Sequence, residues 1–114
     1  MSYPLSTPQA LRLWHHVGLA QVRDAEPDLS TRQMTILLSI YLEAPPHTVR
    51  ALAAKLKVSK PVITRALDAM GKLGLVTRRR DEADRRNVLI QRTVGGSLYL
   101  ERLADLVSAK SQEL

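Results

Sequence analysis

Residues 48–80, TVRALAAKLKVSKPVITRALDAMGKLGLVTRRR, decide the fold of this 114-residue chain. They read as two short helices joined by a tight turn, with the start of a strand behind them. Thr48 stands where a helix cap is needed, and Val49, Leu52 and Leu56 follow at helical spacing as an inward face. Ala51, Ala53 and Ala54 are small enough to let another helix approach closely. Lys57 and Val58 form the turn. Ser59 is a strong N-cap for the next helix, and Pro61 falls in its first turn, where a missing N–H does no harm. Ile63, Ala66, Leu67 and Met70 give that helix a buried stripe running to about Leu73, and Gly74 is a natural left-handed terminator.

The same stretch holds nine Lys and Arg against one Asp, a net of +8, while residues 1–47 and residues 81–114 each carry −1. A charge excess confined to one segment is a local electrostatic footprint and not general solubilisation. Charge and shape together point to double-stranded DNA.

On the N-terminal side, the pattern predicts a helix from Thr7 as cap and Pro8 as first residue to about Asp24, closed by Pro27. Leu11, Trp14, Gly18 and Val22 lie along one side of it, with Leu13, Val17 and Ala20 beside them. A second helix opens at Ser30, where Gln33 completes a capping box. Its apolar face is Met34, Leu37, Leu38, Tyr41 and Leu42, widened by Ile36 and Ile40, and Pro45-Pro46 ends it. On the C-terminal side the period changes. Leu75 to Arg80 and Asn87 to Arg92 read as strands around a charged hairpin tip, Asp81 to Arg86. A last helix starts at Thr93 or Ser97, with Leu100, Leu103, Leu106 and Val107 as its stripe. The sum is a mainly α fold with a small β-hairpin, a winged helix-turn-helix in the order α-α-α-α-β-wing-β-α. It forms a single domain: an N-terminal helical segment 1–29, a core and wing 30–92, and a C-terminal helix 93–114.

Composition removes several classes of function. The absence of cysteine excludes disulfides, thiolate metal sites and cysteine nucleophiles. No apolar run approaches a membrane span, and the N-terminus lacks a signal pattern, so the expected home is the cytoplasm, at the nucleoid. One Trp, three Tyr and no Phe argue against stacking on unpaired bases. There is no glycine-rich phosphate loop, nucleophile elbow or paired-carboxylate arrangement, so no enzyme and no cofactor is expected. His15-His16 project in different directions on a helix and His47 sits in a proline-bounded loop, so no metal site is expected either.

A recognition helix leads with its N-terminal turns into a major groove about 12 Å wide. Here those turns carry Ser59, Lys60, Pro61, Val62, Thr64 and Arg65. Arg65 is the best base reader, because its planar fork can meet guanine O6 and N7 together. Thr64 suits a base edge, Pro61 and Val62 suit thymine methyls, and Ser59 suits a phosphate. Arg85 and Arg86 sit where a wing would reach a minor groove, with Asp84 as the organiser of the tip. Arg50, Lys55 and Lys57 are phosphate candidates. Arg78, Arg79 and Arg80 alternate along a strand, so some of them face away from DNA.

These residues resemble the multiple antibiotic resistance regulator (MarR) family of bacterial winged-helix transcription factors. The likeness runs from about Thr48 to Gly96. It rests on Leu52-Ala53 with Leu56, on Ser59 with Val62-Ile63-Thr64-Arg65, and on Leu73-Gly74-Leu75-Val76 followed by arginines. Asp84-Arg85-Arg86-Asn87-Val88 looks like the family's D-x-R wing motif, and Thr93-Val94-Gly95-Gly96 like its closing T-x-x-G. The resemblance implies a homodimer on a pseudo-palindromic operator, with Ser59, Thr64 and Arg65 in the major groove and Arg86 in the minor groove. It also implies a small-molecule effector pocket, here around Trp14, His15 and Tyr41, although no residue identifies a ligand and an effector-free regulator fits equally. Two departures stand out. Arg92 replaces the leucine usual before the threonine, and only 18 residues follow Gly96, room for one short form of the family's longer C-terminal dimerisation region. Two other readings remain open: a winged-helix module docking an acidic protein partner, and sequence-indifferent nucleoid binding.

Overall fold

The computed structural model describes residues 4–24 and 27–114; of the N-terminal segment 1–29, residues 1–3 and 25–26 lie outside the described residues. The elements run α1 (Thr7–Asp24), α2 (Thr31–Leu42), β1 (His47–Thr48), α3 (Val49–Leu56), α4 (Lys60–Lys72), β2 (Val76–Arg80), β3 (Val88–Arg92) and α5 (Val94–Gln112). They fall into two compact units, Leu29–Leu100, and Met1–Asp28 with Glu101–Leu114.

In the first unit, α2, α3 and α4 close around one core. Ile36, Leu37, Ile40, Ile63, Leu67 and Met70 are fully buried, joined by Leu52, Ala53, Ala66, Leu75, Val76, Ile90 and Tyr99. The centre of the α2 face is therefore Ile36, Leu37 and Ile40; Leu42, expected inside, is 78% exposed because it lies past the last inward turn. The α4 stripe is as expected: Ile63, Ala66, Leu67 and Met70 are its buried residues. Burial at this scale is the main stabilising term of the unit, on the order of 1.5–3 kcal/mol for each large aliphatic side chain.

Caps set the helix starts. Ser30 Oγ accepts from Gln33 N at 3.1 Å and Gln33 Oε1 accepts from Ser30 N at 2.8 Å, the expected capping box. Thr48 Oγ1 accepts from Ala51 N at 3.1 Å. At α1 the cap falls one residue earlier than expected: Ser6, not Thr7, accepts from Gln9 N and receives Gln9 Oε1 on its own N–H. Helix ends follow a left-handed residue in two places. Gly74 has φ 75° with Leu75 N donating to Met70 O, and Lys57 has φ 58° with Val58 N donating to Ala53 O. Lys57 adopts the glycine-like conformation because the tight α3–α4 turn requires it.

The sheet has the order β1-β3-β2, both pairs antiparallel. The hairpin was expected from sequence; the two-residue β1, with His47 opposite Ile90 and Thr48 opposite Leu89, was not. Alternation along β2 puts Val76, Arg78 and Arg80 on one face and Thr77 and Arg79 on the other.

A polar junction ties α2 to the start of α5. The Tyr41 hydroxyl accepts from Thr93 N at 2.9 Å and lies 3.0 Å from both Leu75 O and Thr93 O, one of which takes its single proton. Thr93 Oγ1 donates to Gly74 O at 2.7 Å and accepts from Gly96 N at 3.0 Å, so Thr93 caps α5. Only glycine fits at 96: a Cβ there would collide with the Tyr41 hydroxyl and the Leu75 carbonyl. Arg92 explains itself here. Its Nε and Nη2 donate to Ile40 O and Glu43 O at the end of α2, which has no basic residue in its own last turn.

In the second unit, Val17 of α1 is buried and Leu13 half-buried, whereas Leu11, Trp14 and Val22 are exposed, Trp14 to 77%. No helix among the described residues is long and apolar enough to cross a membrane.

Candidate nucleic-acid interface

The outward side of α4 is built by subtraction. Its core stripe takes Ile63, Ala66, Leu67 and Met70 inward, which leaves Lys60, Pro61 and Arg65 exposed and Val62 and Thr64 half-buried beside them. All six α4 candidates therefore lie on or next to the first two turns, with Ser59 exposed at the N-cap position. Ser59 departs from expectation in one respect. Its backbone has cap geometry (φ −76°, ψ 157°), but its hydroxyl makes no cap hydrogen bond, in contrast to Ser30 and Thr48. Pro61 removes one N–H from that turn, and the exposed Ser59 hydroxyl has no partner among the described residues.

The single acid in the basic stretch does not face outward unopposed. Asp68 Oδ1 accepts from Arg78 Nη2 at 2.6 Å, tying α4 to β2. Such a half-exposed pair contributes little to stability, about 0.2–1 kcal/mol. Its value is that it neutralises the acid and fixes which way Arg78 points. Arg80 Nη1 donates to the carbonyl of Arg85 at 2.7 Å, bracing the wing tip from the strand below it.

The tip itself is held by its acids. Asp81 Oδ1 accepts from Ala83 N at 2.9 Å, Asp81 N donates to Asn87 O at 3.0 Å, and Asn87 N donates to Asp84 O at 2.9 Å. Asp84 Oδ1 accepts from both the backbone N (3.2 Å) and Nε (3.1 Å) of Arg86, and Oδ2 lies 3.3 Å from its Nη2. The side chain and then the backbone N–H of Arg86 hold the Asp84 carboxyl below the ordinary aspartate range. Arg86 nonetheless stays 92% exposed, so it is oriented without being withdrawn from solvent. Arg85 is exposed, and its side chain has no partner among the described residues.

Sequence reasoning missed Arg32. It lies in the first turn of α2, outside the basic stretch, yet with Arg65 it lines a polar depression between α2 and α4. No periodicity could have found it, because the pairing is tertiary. The histidines gather no cluster: the His15 and His16 rings lie 5.7 Å apart, tilted by 46°, and no group of three or more metal-ligating side chains occurs among the described residues. Tyr41, considered for an effector pocket, has its hydroxyl committed to the junction described above.

Comparison with known proteins places these features. The structure aligns with the regulator Tm0710 of Thermotoga maritima at 25% identity and a TM-score of 0.76, covering 91% of this chain and 70% of that one. It aligns with a mutant MarR of E. coli complexed with operator DNA at 26% identity and a TM-score of 0.69, covering 93% and 70%. In sequence, 59 residues are 37% identical to the organic hydroperoxide resistance transcriptional regulator of Bacillus subtilis (strain 168). That match takes in 52% of this chain but only 40% of the relative. The MarR family model matches residues 29–88, more than half of the chain, from just before α2 to the first residue of β3. The chain belongs to the MarR family.

Proposed function

We propose that this chain is a sequence-specific, DNA-binding transcriptional regulator that places α4 in a major groove and the 81–86 wing in the adjacent minor groove. The observation that carries the reading is the outward edge of α4. Lys60, Pro61, Thr64 and Arg65 stand clear of the core, Ser59 keeps a free hydroxyl, and Asp68 is occupied by Arg78. Arg65 reads a base edge, Thr64 and Val62 make the flanking contacts, and Lys60 and Ser59 hold phosphates. Arg86, oriented by Asp84, and the unpartnered Arg85 enter the minor groove. Support comes also from two structural relatives whose crystals hold DNA, the E. coli MarR mutant with operator DNA and the repressor CouR with a 23-mer duplex.

The protein acts as a homodimer on a pseudo-palindromic site. The exposed stripe Leu11, Trp14 and Val22 on α1 supports this, since a run of large apolar side chains along one helix face marks an association surface. A cytoplasmic, nucleoid-associated location follows from that role.

The test is selection of bound sequences from a random duplex library at physiological salt. An enriched inverted repeat with half-sites about one helical turn apart is the expected outcome. Arg65→Ala should then cost about 1–3 kcal/mol and relax the preference at one position of each half-site, and Arg86→Ala should cost a similar amount. Retained specificity in both variants would overturn the assignment. Absence of any enriched sequence, with weak salt-sensitive binding, would instead favour non-specific coating or an acidic protein partner.

A further inference from the structure

We infer that Arg32 and Arg65 together form a further DNA contact, a binding site for one backbone phosphate. The inference rests on the DNA-binding reading above and assigns to it a residue from outside the helix-turn-helix.

The site is the depression between α2 and α4, lined by Ser30, Arg32, Gln33, Val62, Arg65 and Ala66. Two arginines from two different helices border it, and among the described residues no carboxylate does. Both arginines are exposed, and neither has a hydrogen-bond or ion-pair partner among the described residues. That sets them apart from Arg78, Arg80, Arg86 and Arg92, each of which is spent on an internal acceptor. Ser30 Oγ already accepts the Gln33 N–H, so its own proton is free to donate into the depression. A fork from Arg32, the second positive charge of Arg65 beside it and a hydroxyl, with no opposing acid in the lining, suit a single phosphate diester.

Local energetics point the same way. Arg32 stands in the first turn of α2, where no acid offsets it and the helix dipole disfavours a cation. The capping box already satisfies the exposed N–H of Gln33, so Arg32 contributes nothing to holding the helix start. A residue that works against its own helix and has no partner among the described residues is explained by a partner outside the molecule. Arg65 is also the residue assigned to a base edge, and a strand whose base meets α4 brings its phosphates past the α2 side of that helix. The phosphate is therefore one of the bound duplex.

The experiment compares the full chain with Arg32→Gln and Arg32→Lys on the selected duplex across a salt series. Arg32→Gln should reduce the slope of log affinity against log salt by about one and weaken binding roughly eightfold at 0.1 M salt. The loss should be the same on every sequence, with the selected motif unchanged; Arg32→Lys should keep the wild-type slope. The free Arg32→Gln protein should melt higher, by roughly 1–5 °C, since a cation has left a helix N-terminus. Neutral methylphosphonates placed singly along the duplex should weaken the wild type at one position to which Arg32→Gln is indifferent. A wild-type salt slope in Arg32→Gln, or weakening accompanied by a lower melting temperature, would overturn the inference while leaving the DNA reading intact. Saturable inorganic phosphate binding with no methylphosphonate effect would also overturn it, as a free-anion site. If the wild type selects no duplex, the functional reading fails and this site falls with it.

Discussion

Tyr41→Phe removes one oxygen from the polar junction and leaves the ring in place, so its cost can be worked from three distances. The hydroxyl accepts from Thr93 N at 2.9 Å and has Leu75 O and Thr93 O each at 3.0 Å. With phenylalanine, the Thr93 N–H loses its acceptor and one carbonyl loses its donor. An unsatisfied buried group costs about 1–3 kcal/mol, and the half-buried setting of Tyr41 and Thr93 argues for the middle of that range, about 2 kcal/mol. The Arg92 guanidinium lies 5.8 Å over the ring centroid and stays there in the variant, so the measured loss belongs to the hydroxyl. For a domain of this size the melting temperature should fall by roughly 6–15 °C. Urea denaturation should show a lower midpoint with an unchanged slope, because the exposed area on unfolding is the same. A loss below about 0.5 kcal/mol would refute the reasoning, since it would mean water reaches Thr93 N as readily as the phenol does.

Other expectations follow from the same geometry. Gly96→Ala should destabilise by about 3 kcal/mol, because its methyl meets the anchored Tyr41 hydroxyl and a backbone carbonyl, neither of which can retreat; a melt close to wild type would count against the junction as described. The Asp84 carboxyl has its folded value depressed by Arg86, so the wing tie is intact above the ordinary aspartate range and is lost as pH falls through the folded value. Carbon-detected NMR should show a low Asp84 midpoint that returns toward normal in Arg86→Ala, and equal midpoints in the two proteins would contradict the tie. Trp14→Glu should convert a dimer to a monomer in sedimentation at micromolar concentration, whereas a wild type that sediments as a monomer would remove the homodimer from the proposal.

Much of this architecture was legible because it depends on local pattern. The α4 stripe Ile63, Ala66, Leu67 and Met70, the Ser30–Gln33 box and the Gly74 terminator are each set within about four residues, the range over which helical periodicity and caps operate. What was missed is tertiary or marginal. β1 is two residues long and exists only because β3 offers it an edge. Leu42 looked interior from α2 alone and is exposed as the last residue of the helix. Ser6 and Thr7 are both competent caps, and sequence does not choose between neighbours. For the candidate site, α4 was readable from its apolar stripe by exclusion, but Arg32 was not, since its neighbour Arg65 is thirty-three positions away.

The cations of the basic stretch divide by what holds them. Lys55 is paired with Glu43, Arg78 with Asp68, and Arg80 donates to the Arg85 carbonyl. These three fasten α3 to the end of α2, the wing strand to α4, and the strand to its own tip. Arg50, Lys57, Lys60, Arg65, Lys72 and Arg79 have no such partner among the described residues. The apparent uniformity of the +8 segment therefore conceals two populations. One positions α4 and the wing relative to each other, and the other is the population that the proposed function assigns to phosphate and base. An unfolded or peptide version of residues 48–80 would carry the same charge but would lack the fixed angle between helix and wing. On the proposed function, net charge alone would account for attraction to a polyanion, and the internally spent arginines would convert that attraction into a defined geometry.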